Sequence, residues 1–387
     1  MTIRRPVYLD YNATTPHDPE IIEAMKPFLT DYFGNPSSAH WYGAQTKMAV
    51  ENARCQLASL LGCLPNEVVF TSGGTEANNF AIKGTAFRHR DRGNHIITSQ
   101  IEHPAVIEVC KFLEEQDFKV SYLPVDRFGR IKVSDVEKVI TPKTILITIM
   151  HANNEVGTIQ PIEEISGLAR RYGIIFHTDA AQSLGKIPVN VNKLGVDLLS
   201  VAGHKLYAPK GVGALYIRQG VSIDKLLHGA GHESGRRPGT ENVLEIVGLG
   251  QACEIASRDL DKVSQHMRQM RDRLVSGLER TTSDVRLNGH PHQRLPNTAN
   301  ISFKHINAAS LIARISDEVA VSAGSACHSC SEVTISPVLE AMNIPRDWVT
   351  GTIRFSVGKF TTPIEIDHAV QSVSDAVARI RKAGLLA

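Results

Sequence analysis

The chain has 387 residues, enough to bury a large core and more readily two domains than one. Its 42% hydrophobic and 21% charged composition is that of a globular protein without low-complexity tracts. The net charge of +2, from 42 basic against 40 acidic side chains, gives no electrostatic basis for binding nucleic acid or an anionic membrane, and no stretch nears the ~20 apolar residues of a membrane span.

In chain order, Met1 to Pro6 carries no apolar signal region and runs into the strand-like residues 7–10. A helical stretch follows Pro16, then a polar loop at residues 33–38. Strand-type runs recur at residues 67–70, 95–98, 120–123, 144–148, 174–176, 196–199 and 213–217. Helical periodicity lies between most of them, as at residues 162–172, so a mostly parallel sheet covered by helices is expected. The pattern changes near residue 250. A long helical region, residues 246–280, leads to strand-like residues 300–303, a loop rich in Ser and Cys, and strand-like residues 352–356, which predicts a smaller C-terminal α+β domain.

Asp179 and Lys205 each follow an apolar run, so both are expected where a buried strand ends, the place at which open α/β sheets bind ligands. A lysine beside a turn is by itself an ordinary surface residue. Paired with Asp179, it matches what pyridoxal phosphate requires: an amine to bond the aldehyde, and an anion to keep the pyridine nitrogen protonated. Thr71-Ser72-Gly73-Gly74-Thr75-Glu76 runs from a strand into a helix and reads as a phosphate cup or as a plain helix start capped by Thr75. His103, past another strand end, reads as a packing residue or as a ring that stacks on a flat cofactor. Six cysteines at irregular positions form no disulfide framework, and a reducing cytoplasm is the expected compartment. Cys55, Cys63, Cys110 and Cys253 read as packing residues. Cys327-His328-Ser329-Cys330 has C-x-x-C spacing, but no second pair exists to complete a zinc site, so no metal is expected.

Several ordered blocks give the chain a resemblance to a known family over nearly its whole length. They are Tyr8-Leu9-Asp10-Tyr11-Asn12-Ala13-Thr14-Thr15, Gly34-Asn35-Pro36-Ser37-Ser38, the Gly73-Gly74-Thr75 segment, Glu102-His103, His151-Ala152-Asn153-Asn154-Glu155-Val156-Gly157, His177-Thr178-Asp179-Ala180-Ala181-Gln182, Gly203-His204-Lys205, Arg237-Pro238-Gly239-Thr240 and Gly324-Ser325-Ala326-Cys327. In these the sequence resembles the NifS/IscS-like cysteine desulfurases of the class V aminotransferases, which are close to the selenocysteine lyases. The resemblance implies fold type I of the pyridoxal-phosphate enzymes: a mostly parallel seven-stranded sheet covered by helices in residues 14–255, with residues 1–13 and 256–387 forming the small domain.

The same resemblance implies roles. Lys205 bonds the cofactor and Asp179 faces its ring nitrogen. Gln182 hydrogen-bonds its phenolic oxygen, and His103 stacks on the ring and assists proton transfer. Gly74, Thr75 and His204 hold the phosphate, with Thr240 reaching it from the partner subunit of a homodimer. Asn154, which also contacts the cofactor, and Arg354 hold the substrate, and Cys327, in a small-residue run that reads as a loop, is the nucleophile that takes its sulfur. The implied reaction turns L-cysteine into L-alanine and passes sulfur to an acceptor such as an iron–sulfur scaffold or a tRNA-thiolation relay. The alternative is release of selenide from L-selenocysteine. Ala202 departs from the pattern, which has a phosphate-binding serine there.

Overall fold

The computed structural model describes residues 5–323 and 335–384, so Cys327, His328 and Cys330 lie outside the described residues. After a short strand β1 (Val7–Tyr8), seven strands build the central sheet: β2 (Val68–Thr71), β3 (His95–Ser99), β4 (Lys119–Leu123), β5 (Thr144–Thr148), β6 (Ile175–Asp179), β7 (Leu198–Ala202) and β8 (Gly213–Ile217). Their spatial order is β2-β8-β7-β6-β5-β3-β4. β8 pairs antiparallel with β2 and β7, and the remaining pairings in this sheet are parallel.

Every residue of β2, β3, β5, β7 and β8 is buried, because helices cover both faces. That is why these strands read as continuous apolar runs rather than alternating ones. The covering helices carry their own signals. Ile162–Tyr172 opens on Glu163 and Glu164, closes on Arg170 and Arg171, and stops at Gly173, whose φ of 64° suits glycine. Its Ile162, Ile165, Leu168 and Ala169 face the sheet.

A second sheet joins β9 (Val285–Asn288), β10 (Thr298–Phe303), β12 (Ser322–Ala323) and β13 (Thr352–Ser356) in the order β12-β13-β10-β9, all antiparallel. β11 (Val319–Ala320) pairs parallel with β1, and Asp10 bridges to Ser356, which lays the N-terminal segment along β13. The helix Val243–Thr281 crosses between the two apolar cores. Its Ile246, Leu249 and Ile255 pack with the main sheet, and its Met267, Leu274 and Leu278 pack with Phe303, Ile353 and Phe355.

Cys110 and Cys253 are buried as expected of packing residues, but Cys55 is exposed on the helix Trp41–Leu61 and packs no core. Its neighbours Arg54 and Leu57 take the inward positions of that helical turn. Among the described residues no helix is long and apolar enough to cross a membrane.

Candidate active site

The C-terminal ends of β2, β3, β6 and β7 open on the same edge of the sheet, and the residues that follow them converge there. Past β2 the chain enters the helix Gly74–Arg88 through Gly73, whose φ of 153° and ψ of −179° suit glycine alone. A Cβ at Gly73 would find nothing within 4 Å, so open space lies before the helix. No side chain caps this N-terminus, and its first-turn N–H groups are a ready anion site. A Cβ on Gly74 would lie 3.1 Å from Ala202 Cβ, so the end of β7 floors the cup. Thr75 stands exposed in the same turn.

Asp179 closes β6 and is 8% exposed. Its Oδ1 accepts the Ala181 N–H at 2.8 Å, and its Oδ2 accepts Asn78 Nδ2 at 2.7 Å, so the cup helix itself clamps the carboxylate. The Asn78 Oδ1 is buried without a partner.

Lys205 ends a short turn, Gly203–Lys205, directly after β7. Its Nζ donates to the carbonyls of Asn12 and, at 2.6 Å, Ala13. Asn12 is held in turn: its N–H donates to Ser356 Oγ at 2.9 Å, its Nδ2 to Thr298 Oγ1 at 2.8 Å, and its Oδ1 accepts Asn297 Nδ2 at 2.8 Å. Burial and the Arg354 charge bring the Lys205 ammonium down to about 8, against the pull of Asp10 and Asp179. More free amine is therefore present near neutrality than on a surface lysine, as a nucleophile or base needs.

His103 caps the helix Pro104–Glu114, its Nδ1 accepting the Ala105 N–H at 3.1 Å, so the neutral ring carries its proton on Nε2. The ring stands at the open mouth, yet the protein beneath it and the Lys205 charge hold it below the ordinary imidazole range, against Asp179. Burial and then Lys205 push His204 down to about 4, and its Nδ1 lies 3.2 Å from Thr14 Oγ1. Gln182 Nε2 donates to the Asn12 carbonyl at 3.0 Å, the same oxygen that receives Lys205.

Arg354 comes from β13 in the second sheet. Its Nη2 donates to Asp10 Oδ1 at 2.8 Å and its Nη1 to the Asn154 carbonyl at 3.4 Å, while its Nε is buried without a partner. Beside it, burial pushes the Glu155 carboxyl up to about 7, against Ser336 Oγ, which donates at 2.5 Å, and the Arg354 charge. Ser322 sits opposite Arg354 in the sheet and donates from Oγ to Asp10 Oδ2 at 2.9 Å. The described residues on either side of the Cys327 segment thus meet the Arg354 end of the site.

The structure therefore brings together Gly74, Asp179, Gln182, His204, Lys205, His103, Asn154 and Arg354. It does not bring Thr240, which is exposed in a turn whose Arg237 pairs with Glu76 of the cup helix at 2.9 Å. Asn78, Asp10 and Asn12 escape sequence reasoning as site residues. Asp10 and Asn12 stand in the first resembling block, but nothing in the sequence says which residues they hold.

A buried carboxylate and a half-buried lysine at adjacent strand ends, below an open helix N-terminus, form a candidate ligand site where open α/β sheets bind ligands. Residues 7–368 match the family model for class-V aminotransferases, and the chain belongs to that family. Within it the chain stands with the cysteine desulfurases. The cysteine desulfurase IscS of Dictyoglomus turgidum is 50% identical over 380 residues, 98% of this chain and 96% of that protein. A solved NifS-like protein superposes with a TM-score of 0.91 at 39% identity, covering 97% of this chain and all of its own. SspA, solved in complex with cysteine, gives 0.81 at 39% identity over 92% of this chain and 99% of its own.

Proposed function

We propose that this protein is a pyridoxal-phosphate-dependent cysteine desulfurase that converts L-cysteine to L-alanine and takes the sulfur onto Cys327 as a persulfide. The observation that carries the reading is the meeting of Lys205, Asp179 and the open start of the helix Gly74–Arg88 in a chain half identical to a cysteine desulfurase. The residues present suit the cofactor: an uncapped helix start for a phosphate, a buried anion for a ring nitrogen and an amine brought toward neutrality for an aldehyde.

When bound, pyridoxal phosphate supplies an aldehyde that takes an amino acid's nitrogen and a ring that accepts the electron pair left at its α-carbon. Gly74, Thr75 and His204 would hold the phosphate, Asp179 the ring nitrogen and Gln182 the phenolic oxygen. Asn78 keeps the Asp179 carboxylate aimed by donating to it. His103 would stack on the ring and assist proton transfer. Arg354 and Asn154 seat the substrate carboxylate, for which the planar guanidinium offers two parallel donors. Substrate must displace Asp10 from Arg354 to do so. Lys205, freed from the Asn12 and Ala13 carbonyls, removes the proton from the substrate α-carbon. The Cys327 thiolate bonds to the substrate sulfur, the C–S bond breaks with its electron pair left on carbon, that carbon takes a proton to become the alanine methyl, and Lys205 returns a proton to the α-carbon.

The same reading extends to the assembly. The working unit is a homodimer in which Thr240 of each subunit reaches the other's phosphate, and the chain divides into a large domain of residues 14–255 and a small one of residues 1–13 and 256–387. The compartment is the cytoplasm, and the persulfide passes to an acceptor protein such as an iron–sulfur scaffold.

Purified protein incubated separately with L-cysteine and L-selenocysteine tests the activity through alanine, sulfide and selenide. Wild type should form alanine from cysteine and gain one sulfur on the peptide that contains Cys327. Cys327→Ser should abolish alanine formation from cysteine while keeping appreciable formation from selenocysteine, because selenium leaves carbon with less help. A wild type that turns over selenocysteine, ignores cysteine and never gains the sulfur would establish a selenocysteine lyase instead.

A further inference from the structure

Lys186 is a buried lysine that the mechanism does not use. It is 5% exposed, and among the described residues no carboxylate pairs with it. An unpaired ammonium is costly to bury, so its local contacts should explain it. Its Nζ donates to the Gln182 carbonyl at 3.0 Å and to Gln182 Oε1 at 3.0 Å. The two residues lie one helical turn apart in the segment that follows Asp179, where Lys186 N–H bonds back to Ser183.

The consequence falls on the Gln182 amide. A lysine nitrogen facing two carbonyl-type oxygens acts as a donor, so the amide oxygen must face it and the amide nitrogen must turn the other way. Gln182 Nε2 there meets the Asn12 carbonyl at 3.0 Å, an oxygen that only accepts. A flipped amide would set its NH2 against the Lys186 donors and its oxygen against the Asn12 oxygen. Both ends oppose the flip, and the second amide N–H is left for an acceptor within the site. Burial, with the Lys205 and Arg354 charges, brings Lys186 down to about 7, but the neutral amine still has two N–H groups for the two Gln182 oxygens.

We propose that Lys186 is a positioning residue that locks the Gln182 amide with its nitrogen toward the site, so that Gln182 presents a fixed donor to the phenolic oxygen of bound pyridoxal phosphate. This rests on the functional reading above for the identity of the acceptor, while the locked amide stands on the hydrogen bonds alone.

The test uses Lys186→Met, Lys186→Gln and Gln182→Ala, each alone and with both Lys186 variants placed in the Gln182→Ala background. Melting of the cofactor-free proteins establishes folding. Lys186→Met should weaken pyridoxal phosphate binding roughly tenfold and move the pH midpoint of its visible band by about one unit, the effect of one hydrogen bond to a charged oxygen. Lys186→Gln, whose amide can still donate, should retain part of both. Neither variant should add to the loss already caused by Gln182→Ala. A loss that persists undiminished in that background, or an unmoved midpoint in Lys186→Met, overturns the proposal. Should Lys186→Met not fold, the same comparison with Lys186→Gln applies. Independently of cofactor, hydrogen exchange of the Gln182 side-chain amide in 15N-glutamine-labelled apoprotein should be slow in wild type and fast in the folded Lys186 variants. Equal exchange overturns the lock, whereas a wild type that binds no pyridoxal phosphate but shows the protected amide would sink the functional reading alone.

Discussion

Glu102, immediately before His103, is buried: Ser99 Oγ donates to its Oε1 at 2.5 Å and the Met150 N–H to both oxygens. Burial outweighs these donors and, helped by Asp179, lifts the carboxyl from 4.5 to about 8. A folded value above the unfolded one means that Glu102 contributes stability below pH 4.5 and loses it as pH rises through about 8. The melting advantage of wild type over Glu102→Gln should therefore shrink across that window. A constant difference would show that Glu102 does not hold its proton. The buried His177, lowered to about 3, has the opposite sense, since the unfolded chain takes up a proton that the fold refuses, and stability falls as pH drops below 6.5. Ala202 offers a second test. Its Cβ lies beside Gly74 in the cup, so Ala202→Ser places a hydroxyl against the phosphate position and should slow cofactor loss roughly tenfold, the worth of one hydrogen bond to a charged group. Faster loss would mean that the cup has no room for the hydroxyl.

At the scale of elements, the helix Gly74–Arg88 serves twice, its N-terminus as an anion site and its Asn78 as the clamp on Asp179. Its entry depends on Gly73, where a residue with a Cβ meets no neighbour but must adopt a φ of 153°. Gly73→Ala should thus cost about 1–3 kcal/mol through the backbone alone and weaken cofactor binding in step. Gly167, with equally open surroundings in the helix Ile162–Tyr172, is the control, and its change to Ala should stabilise by about 0.5–1 kcal/mol. Equal effects at the two sites, measured by melting and cofactor titration, would remove the conformational argument. Elements differ in how plainly they read. β5, β8 and β13 coincide with the expected runs because long apolar or β-branched stretches have few alternatives. β1, two residues long, falls within the strand-like residues 7–10, whereas β11 and β12, also two residues each, exist only because a partner strand lies beside them, so no local pattern announces them.

At the scale of the molecule, the helix Val243–Thr281 ties the main sheet to the second sheet, and with it the Asp179 and Lys205 side of the site to Arg354 on β13. The turn that carries Thr240 lies on the outside of this unit, joined to the cup helix through Arg237 and Glu76. If that turn completes a neighbour's phosphate site, the active species is a dimer, and cofactor occupancy should fall as protein is diluted into monomers. Thr240→Val should weaken cofactor binding without shifting the monomer–dimer balance. Sedimentation showing a fully active monomer would overturn the shared site.

The sequence by itself determined the central sheet and the placement of Asp179 and Lys205 at its strand ends. Strands covered on both faces need unbroken apolar runs, and ligand-binding residues must follow such strands. The family resemblance then gave expected roles to His103, Gln182, Asn154 and Arg354. What only the tertiary structure decided is how these groups are held. Arg354 meets Asp10 across 344 positions of chain, Lys205 meets the Asn12 carbonyl across 193, and Asn78 meets Asp179 across 101. Such contacts leave no periodic trace in the sequence, because each depends on two distant segments being brought to one place by the packing of two sheets against a shared helix.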